Sequence, residues 1–339
     1  MATYNQCAVW PVFLPKFFNM KRRDFVRTTL GVSLLNPLET FGEAPVTHLD
    51  SEDLTGQAGL ANDYSLYFMA LGDWGRSGEY LQLEVGKQMG QWATTHRNSF
   101  VISTGDNFYP RGVISEHDPL WHYSFENVYT AHALQCDWYA VLGNHDYLAD
   151  PDAQVRYGNV SRRWKMPDRY YAREVKLGKE AAKVQFVMID TNQLLDDDDK
   201  PRAAKHLEWI SETLRGASAD VKWKIVVGHH PGYTVGPRIK NGDTLAIRSI
   251  LTKVFNEHHV DVYLSGHEHS MQHLKPEGHP HQFISGAGSE LTHVTAGVPY
   301  SRFEASENGF LYFSMDSKRL NVKAINHTGK MLYETELTK

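Results

Sequence analysis

Five short runs of apolar or alternating residues each break off, within one residue, at a glycine followed by polar side chains. That repeated ending constrains the fold more than anything else in the chain. The runs span 64–71, 100–103, 138–142, 222–227 and 260–264, and they have the length and the β-branched or aromatic content of strands. The motifs that close them are Gly-Asp-Trp-Gly at 72–75, Gly-Asp-Asn-Phe-Tyr at 105–109, Gly-Asn-His-Asp at 143–146, Gly-His-His at 228–230 and Gly-His-Glu-His at 266–269. Glycine lets a backbone turn sharply or pass close to a ligand. Five such strands would deliver Asp, Tyr, Asn and His side chains to one sheet edge, where sites in α/β proteins usually form. Seven of the delivered side chains are of types that bind metals, and the set reads as a two-metal hydrolytic centre.

Taken singly the motifs carry little weight. Gly-Asp-x-Gly is a common turn, and Asn and Asp are ordinary turn residues. Gly-His-x-His is stronger, because alternate strand residues share a face and two imidazoles there rarely serve packing. Their occurrence in order, each at a strand ending, is what argues for chemistry.

The ordered series, with the tyrosine of Gly-Asp-x-x-Tyr as its diagnostic residue, resembles the signature of the purple acid phosphatases within the calcineurin-like metallophosphoesterases. It is most similar to their small, mammalian-type (tartrate-resistant) branch, from about residue 64 to the C-terminus. Arg163-Trp164, Gly286-Ala287-Gly288 and the stretch at 329–335 are similar to that branch as well. The resemblance implies an α/β fold in four layers, a β-sandwich flanked by helices (α-β-β-α). It also implies a phosphomonoesterase with a dinuclear centre of Fe(III) plus a divalent ion (Fe, Zn or Mn) and a metal-activated hydroxide. Carried over position by position, one metal takes Asp73, Tyr109, His269 and Asp106, and the other takes Asn144, His229, His267 and the same Asp106. A phenol ionises near pH ~10 in water, so a tyrosinate ligand calls for a strongly polarising cation. Formal charge would be about +5 from the metals against about −4 from two carboxylates, the phenolate and a hydroxide, which leaves a site fit for a phosphate dianion. The family's Fe(III)–phenolate absorption would colour the protein purple.

The same resemblance matches His145 to the family histidine that contacts phosphate and assists protonation of the leaving group. Asp146, next to it, reads as its orienter, and His230, adjoining His229, reads as a catalytic candidate or as a residue facing the other side of the strand end. One position departs from the branch. Where it has a second histidine, nine residues after His229, this chain has Arg238, which can hold phosphate oxygens but cannot usefully donate a proton. The loop at 232–242 around it reads as a phosphate-recognition lid or a solvated connection.

The rest of the sequence bounds the setting. A net charge of −5 gives no basis for nucleic-acid binding, and the expected partners are phosphoesters, small-molecule or protein-borne. Met-Lys-Arg-Arg-Asp-Phe-Val at 20–26, with the apolar stretch 26–38, looks like a twin-arginine export signal read by the export machinery. Met20 reads as the true start. The stretch is too short and interrupted for a stable membrane anchor, so a periplasmic or secreted protein is expected. This divides the chain into a leader at 1–45, a linker at 46–62 and a catalytic domain at 63–339. Cys7 and Cys136 give the mature chain no internal disulfide, and the Asn159-Val160-Ser161 sequon is unused in such an export route. Helices are predicted at 79–95, 122–131, 205–214 and 244–258, and further strands at 184–189, 282–284, 310–315, 320–325 and 331–337. The acidic run 196–199 reads as a solvated loop. Two other readings stay open: a phosphodiesterase or nucleotide pyrophosphatase on the same centre, and a non-catalytic binding module, which would need ligands to be missing. None is missing.

Overall fold

The first strand, β1 (Leu66–Leu71), is buried along its whole length, as a Leu-Tyr-Phe-Met-Ala-Leu run with no charged residue requires. In the computed structural model, which describes residues 64–179 and 181–339, it lies at the centre of a seven-stranded sheet. The proposed leader at 1–45, with Arg22 and Arg23, and the linker at 46–62 lie outside the described residues. On one side β1 pairs in parallel with β2 (Phe100–Ser103), followed by β3 (Asp137–Ala140) and β4 (Trp164–Lys165). On the other side come β12 (Gly309–Met315), β13 (Arg319–Asn326) and β14 (Met331–Thr338), all antiparallel. The second sheet runs, in spatial order, β11 (Ser301–Ala305), β9 (Met271–Leu274), β10 (His281–Ser285), β8 (Val262–Ser265), β7 (Val221–Val227), β6 (Lys183–Met188) and β5 (Tyr171–Lys176).

The two sheets meet through aromatic side chains. Phe68 of β1 stacks on Phe313 (ring centroids 4.6 Å apart) and Phe100 (5.2 Å), and the edge of Phe186 from β6 closes on it at 5.4 Å. Burying each such ring contributes roughly 1.5–3 kcal/mol. On β6, Phe186 and Met188 face the first sheet while Val187 faces away, into a separate core with Ile210, Leu214, Ile247 and Leu251. Those four come from α4 (Lys200–Arg215) and α5 (Gly242–Glu257), so the alternation of one strand ties sheet to sheet and sheet to helix. Helix α1 (Gln82–Thr95) adds Val85 and Met89 to the main core. Two shorter helices among the described residues are α2 (Pro151–Tyr157) and α3 (Thr191–Leu194). The expected sandwich of two sheets flanked by helices is therefore the fold. The acidic run at 196–199 is exposed, and its last residue, Asp199, caps α4 by accepting Arg202 N–H at 3.2 Å.

One expected helix is absent. Residues 122–131 form only a π-helical turn (Trp121–Glu126), followed by a 3-10 turn (His132–Leu134). The buried Arg163 explains the interruption, because its Nη1 takes the carbonyls of Tyr129 (2.8 Å) and Leu134 (3.2 Å), which a continuing helix would keep for itself. The strand β9 escaped the sequence pattern because its Gln272 and His273 are buried polar residues.

Candidate metal centre

The strand endings converge because the glycines leave room for the carboxylates. A Cβ on Gly143 would lie 2.1 Å from Asp106 Oδ1, and one on Gly266 would lie 2.5 Å from Asp73 Oδ2. The backbone is strained where the donors sit: Asp73, Asp106 and His267 take φ of 58°, 49° and 66°, in the left-handed region. Such strain persists only where the surroundings enforce it, and it concentrates at functional sites.

Two groups of donors face inward around one carboxylate. In the first, Tyr109 Oη lies 2.9 Å from Asp106 Oδ2, 3.2 Å from Asp73 Oδ1 and 3.1 Å from His269 Nε2. In the second, His229 Nε2 lies 3.4 Å from the same Asp106 Oδ2, 3.2 Å from Asn144 Oδ1 and 3.2 Å from His267 Nδ1. The donor atoms of Asp73, Asp106 and His269 fall within 4.8 Å of one another, as do those of His229, His230 and His267.

Tautomers show what the site lacks. His229 Nδ1 faces the Thr104 carbonyl (2.9 Å) and so carries its proton there, while His267 Nε2 faces Asp243 Oδ2 (2.9 Å). With both rings neutral the inward nitrogens are lone pairs, facing each other, the Asn144 amide oxygen and the Asp106 carboxylate. An all-acceptor cavity needs a cation. The electrostatics agree: burial alone would push His229 down, yet Asp106 and Asp73 draw its pKa up to about 9, a proton standing in for metal charge. For Asp106 burial pushes up, but the charge and hydrogen bond of His229 together with His145 outweigh it and hold the carboxyl far below its usual range. Burial holds Asp73 up, and burial followed by Asp73 and Asp106 holds Tyr109 well above the ordinary phenol, so only a strong cation would ionise it. These residues fit a metal pair.

The residues around the donors depart from expectation in part. The His145 backbone N–H donates to Asp106 Oδ1 (2.8 Å), and its ring Nδ1 to the Pro110 carbonyl (2.8 Å), while its Nε2 carries no hydrogen bond among the described residues. Asp146 does not orient it. The Asp146 carboxylate instead accepts the backbone N–H groups of Asn107 (3.1 Å), Phe108 (3.2 Å) and Gly143 (2.9 Å), pinning two motif loops together, because a buried carboxylate among free amides satisfies those first. Burial and then Asp106 raise its pKa to about 7. His230 lies in the wall, its ring 4.4 Å from that of His267 and its Nδ1 2.8 Å from Thr191 Oγ1. Burial, then His267 and His229, hold it well below the usual histidine range, so it stays neutral there.

Arg238 sits at the site in a 3-10 turn (Pro237–Lys240) that leads into α5. Its Nη1 donates to Glu268 Oε1 (3.0 Å) and its backbone N–H to Oε2 (3.1 Å). Glu268, between His267 and His269 in sequence, is wholly buried and also accepts from Thr234 and Thr292. Three residues at the site were invisible to motif reading. Asp243 lies at the start of α5, Glu268 reads as a spacer inside its motif, and Arg76, just past Gly75, packs on the Tyr109 ring at 3.8 Å.

Two donor groups sharing a carboxylate at the ends of parallel strands define a dinuclear phosphoesterase centre. Residues 66–271 match the family described as calcineurin-like phosphoesterase. The chain is 35% identical to purple acid phosphatase 17 of Arabidopsis thaliana, covering 74% of this chain and 78% of that protein. It is 30% identical to tartrate-resistant acid phosphatase type 5 of Homo sapiens, covering 81% and 91%. Among solved structures it resembles GAP50, described as the anchor in the inner membrane complex of Plasmodium, at TM-score 0.72 and 25% identity over 80% of this chain and 88% of that one. It resembles purple acid phosphatase PPD1 of yellow lupin seeds (Lupinus luteus) at TM-score 0.62 and 15% identity, over 80% and 53%. The chain belongs to the calcineurin-like phosphoesterases and, within them, to the purple acid phosphatases.

Proposed function

We propose that this chain is a metal-dependent acid phosphatase that hydrolyses phosphomonoesters, with Fe(III) held by Asp73, Tyr109, His269 and Asp106, and a divalent ion held by Asn144, His229, His267 and the same Asp106. The observation that carries this reading is the single oxygen, Asp106 Oδ2, 2.9 Å from Tyr109 Oη on one side and 3.4 Å from His229 Nε2 on the other. When bound, such a pair supplies Lewis-acid charge for the phosphoryl oxygens and a hydroxide nucleophile.

The protein's own groups do the rest. Asp243 and the Thr104 carbonyl hold His267 and His229 in the tautomers that leave their inner nitrogens free. The Pro110 carbonyl holds His145 by Nδ1–H, so that the imidazolium form of the ring presents Nε2–H, whose proton passes to the departing oxygen and leaves the ring neutral. Glu268 positions the Arg238 guanidinium to hold phosphate oxygens, and no second proton donor stands in its place. Asp146 supports the loops and takes no part in the proton path.

The setting is part of the same reading. The Arg22–Arg23 pair supports export through the twin-arginine route to the periplasm or beyond, with the catalytic domain at 63–339. No helix among the described residues is long and apolar enough to cross a membrane. Replacing both arginines by lysine is expected to hold folded precursor inside the cell, and unchanged export would refute that route. The hydrolase reading is tested by metal analysis of purified protein together with a panel of monoesters, diesters and pyrophosphates. Two metals per chain and fastest turnover of monoesters are expected; faster diester or pyrophosphate cleavage, or binding without turnover, would replace it.

A further inference from the structure

The segment between Asp73 and α1 carries strained backbone. Ser77, Tyr80 and Leu81 take φ of 56°, 51° and 63°, values that residues with a side chain avoid. Several contacts enforce this shape. Gln82 Oε1 accepts the backbone N–H groups of Arg76 (3.1 Å) and Gly78 (2.7 Å), Ser124 Oγ accepts that of Ser77 (3.0 Å), and Asn308 Nδ2 donates to the Tyr80 carbonyl (3.3 Å). Strain fixed in this way clusters at ligand clamps.

The segment presents a layered lip beside the metal centre. The Arg76 guanidinium lies 3.8 Å from the Tyr109 ring centroid and 5.3 Å from that of Tyr80. Its Nη2 pairs with Glu290 at 2.7 Å, and its Nε is buried with no hydrogen-bond partner among the described residues. Glu290 belongs to a loop that is itself tied to the site, with Ser289 Oγ donating to the Asp73 carbonyl (2.5 Å) and Thr292 N–H to that of His269 (2.9 Å). Tyr80 therefore stands at the rim of the donor groups, and it is 56% exposed. The Arg76–Glu290 pair cancels its own charge, so the lip offers a flat, polarisable surface rather than a second anion site.

We propose that Tyr80, carried on the Arg76 guanidinium, is a specificity-determining residue that stacks on the alcohol half of aryl phosphate monoesters, giving this site a preference for flat aromatic groups over aliphatic ones. This rests on the phosphomonoesterase reading above. Tyr80→Asn keeps a residue tolerant of the left-handed backbone and removes the ring, while Tyr80→Phe keeps the ring. In metal-loaded enzyme, KM is compared for phenyl phosphate and hexafluoroisopropyl phosphate, whose alcohol is about as acidic as phenol, so differences in bond breaking largely cancel. Tyr80→Asn is expected to raise the phenyl-to-fluoroalkyl KM ratio about three- to tenfold, the worth of one aromatic stack, and Tyr80→Phe to hold the wild-type ratio. An unchanged ratio in Tyr80→Asn, or an equal rise in Tyr80→Phe, overturns the proposal. If wild-type enzyme turns over neither ester, the phosphomonoesterase reading fails. The lip is then judged by calorimetric binding of phenylphosphonate against methylphosphonate. A preference for the phenyl ligand that disappears in Tyr80→Asn supports it, and a preference that persists, or was never present, overturns it.

Discussion

On one side of Asp106 the donors are a carboxylate, a phenol and one imidazole (Asp73, Tyr109 and His269); on the other they are an amide and two imidazoles (Asn144, His229 and His267). Apart from the shared carboxylate, the first set can carry two negative charges and the second carries none. Charge and orientation therefore do different work on the two sides. In the proposed assignment the first set takes the trivalent cation, because only strong polarisation ionises a phenol that burial and two carboxylates hold protonated. The second set depends on neutral nitrogens pointing the right way, which is why each of its imidazoles is fixed from behind by Asp243 or by the Thr104 carbonyl.

The largest effect should come from the residue the two sides share. Asp106→Ala is expected to remove both metals, read by elemental analysis, and with them nearly all turnover. Retention of either ion at full occupancy would mean that the sets are independent and the comparison is wrong.

A smaller, one-sided effect is expected at Asp243. Removing the group behind His267 should weaken the second ion by about 10–100-fold while the first stays bound, the usual cost of losing an orienting partner. Competition with a chelator reads both affinities on Asp243→Ala. Equal weakening of the two would show that the orientation asymmetry does not exist.

The third effect separates protein with metal from protein without it. In metal-free protein the folded-state pKa of His229, drawn up to about 9, exceeds the unfolded value of about 6.5. The folded state then binds the extra proton between these values, so the stabilisation is complete below about pH 6.5 and is lost as pH rises towards 9. Denaturant unfolding of metal-free protein should show a loss on the order of 3 kcal/mol across that window, and metal-loaded protein should not. A flat profile without metal would mean that the acceptors are already satisfied.

Much of this was legible in the sequence for a definite reason. Asp73, Asp106, Tyr109, Asn144, His229, His267 and His269 each follow a strand ending within a few residues, so local pattern places them at one sheet edge, and the structure brings them together there. Asp243 could not be read the same way. It meets His267 across 24 positions of sequence, through a helix start that looks like any other. Asp146 misled because adjacency to His145 implied contact, while its carboxylate was needed by three backbone amides instead. At 122–131 the apolar spacing was helical, but an arginine from 163 claimed the carbonyls a helix needs. In each case the deciding partner is distant in sequence, and periodicity carries no information about it.

The central claim is that the charged side of the centre binds Fe(III) through Tyr109, and visible absorption of iron-loaded protein, wild type against Tyr109→Phe, tests it most directly. A broad phenolate-to-iron band should give the wild type its purple or pink colour and be absent from Tyr109→Phe, which should keep measurable iron. A fully loaded, active wild type with no such band, or a Tyr109→Phe protein that keeps the band, would contradict the account.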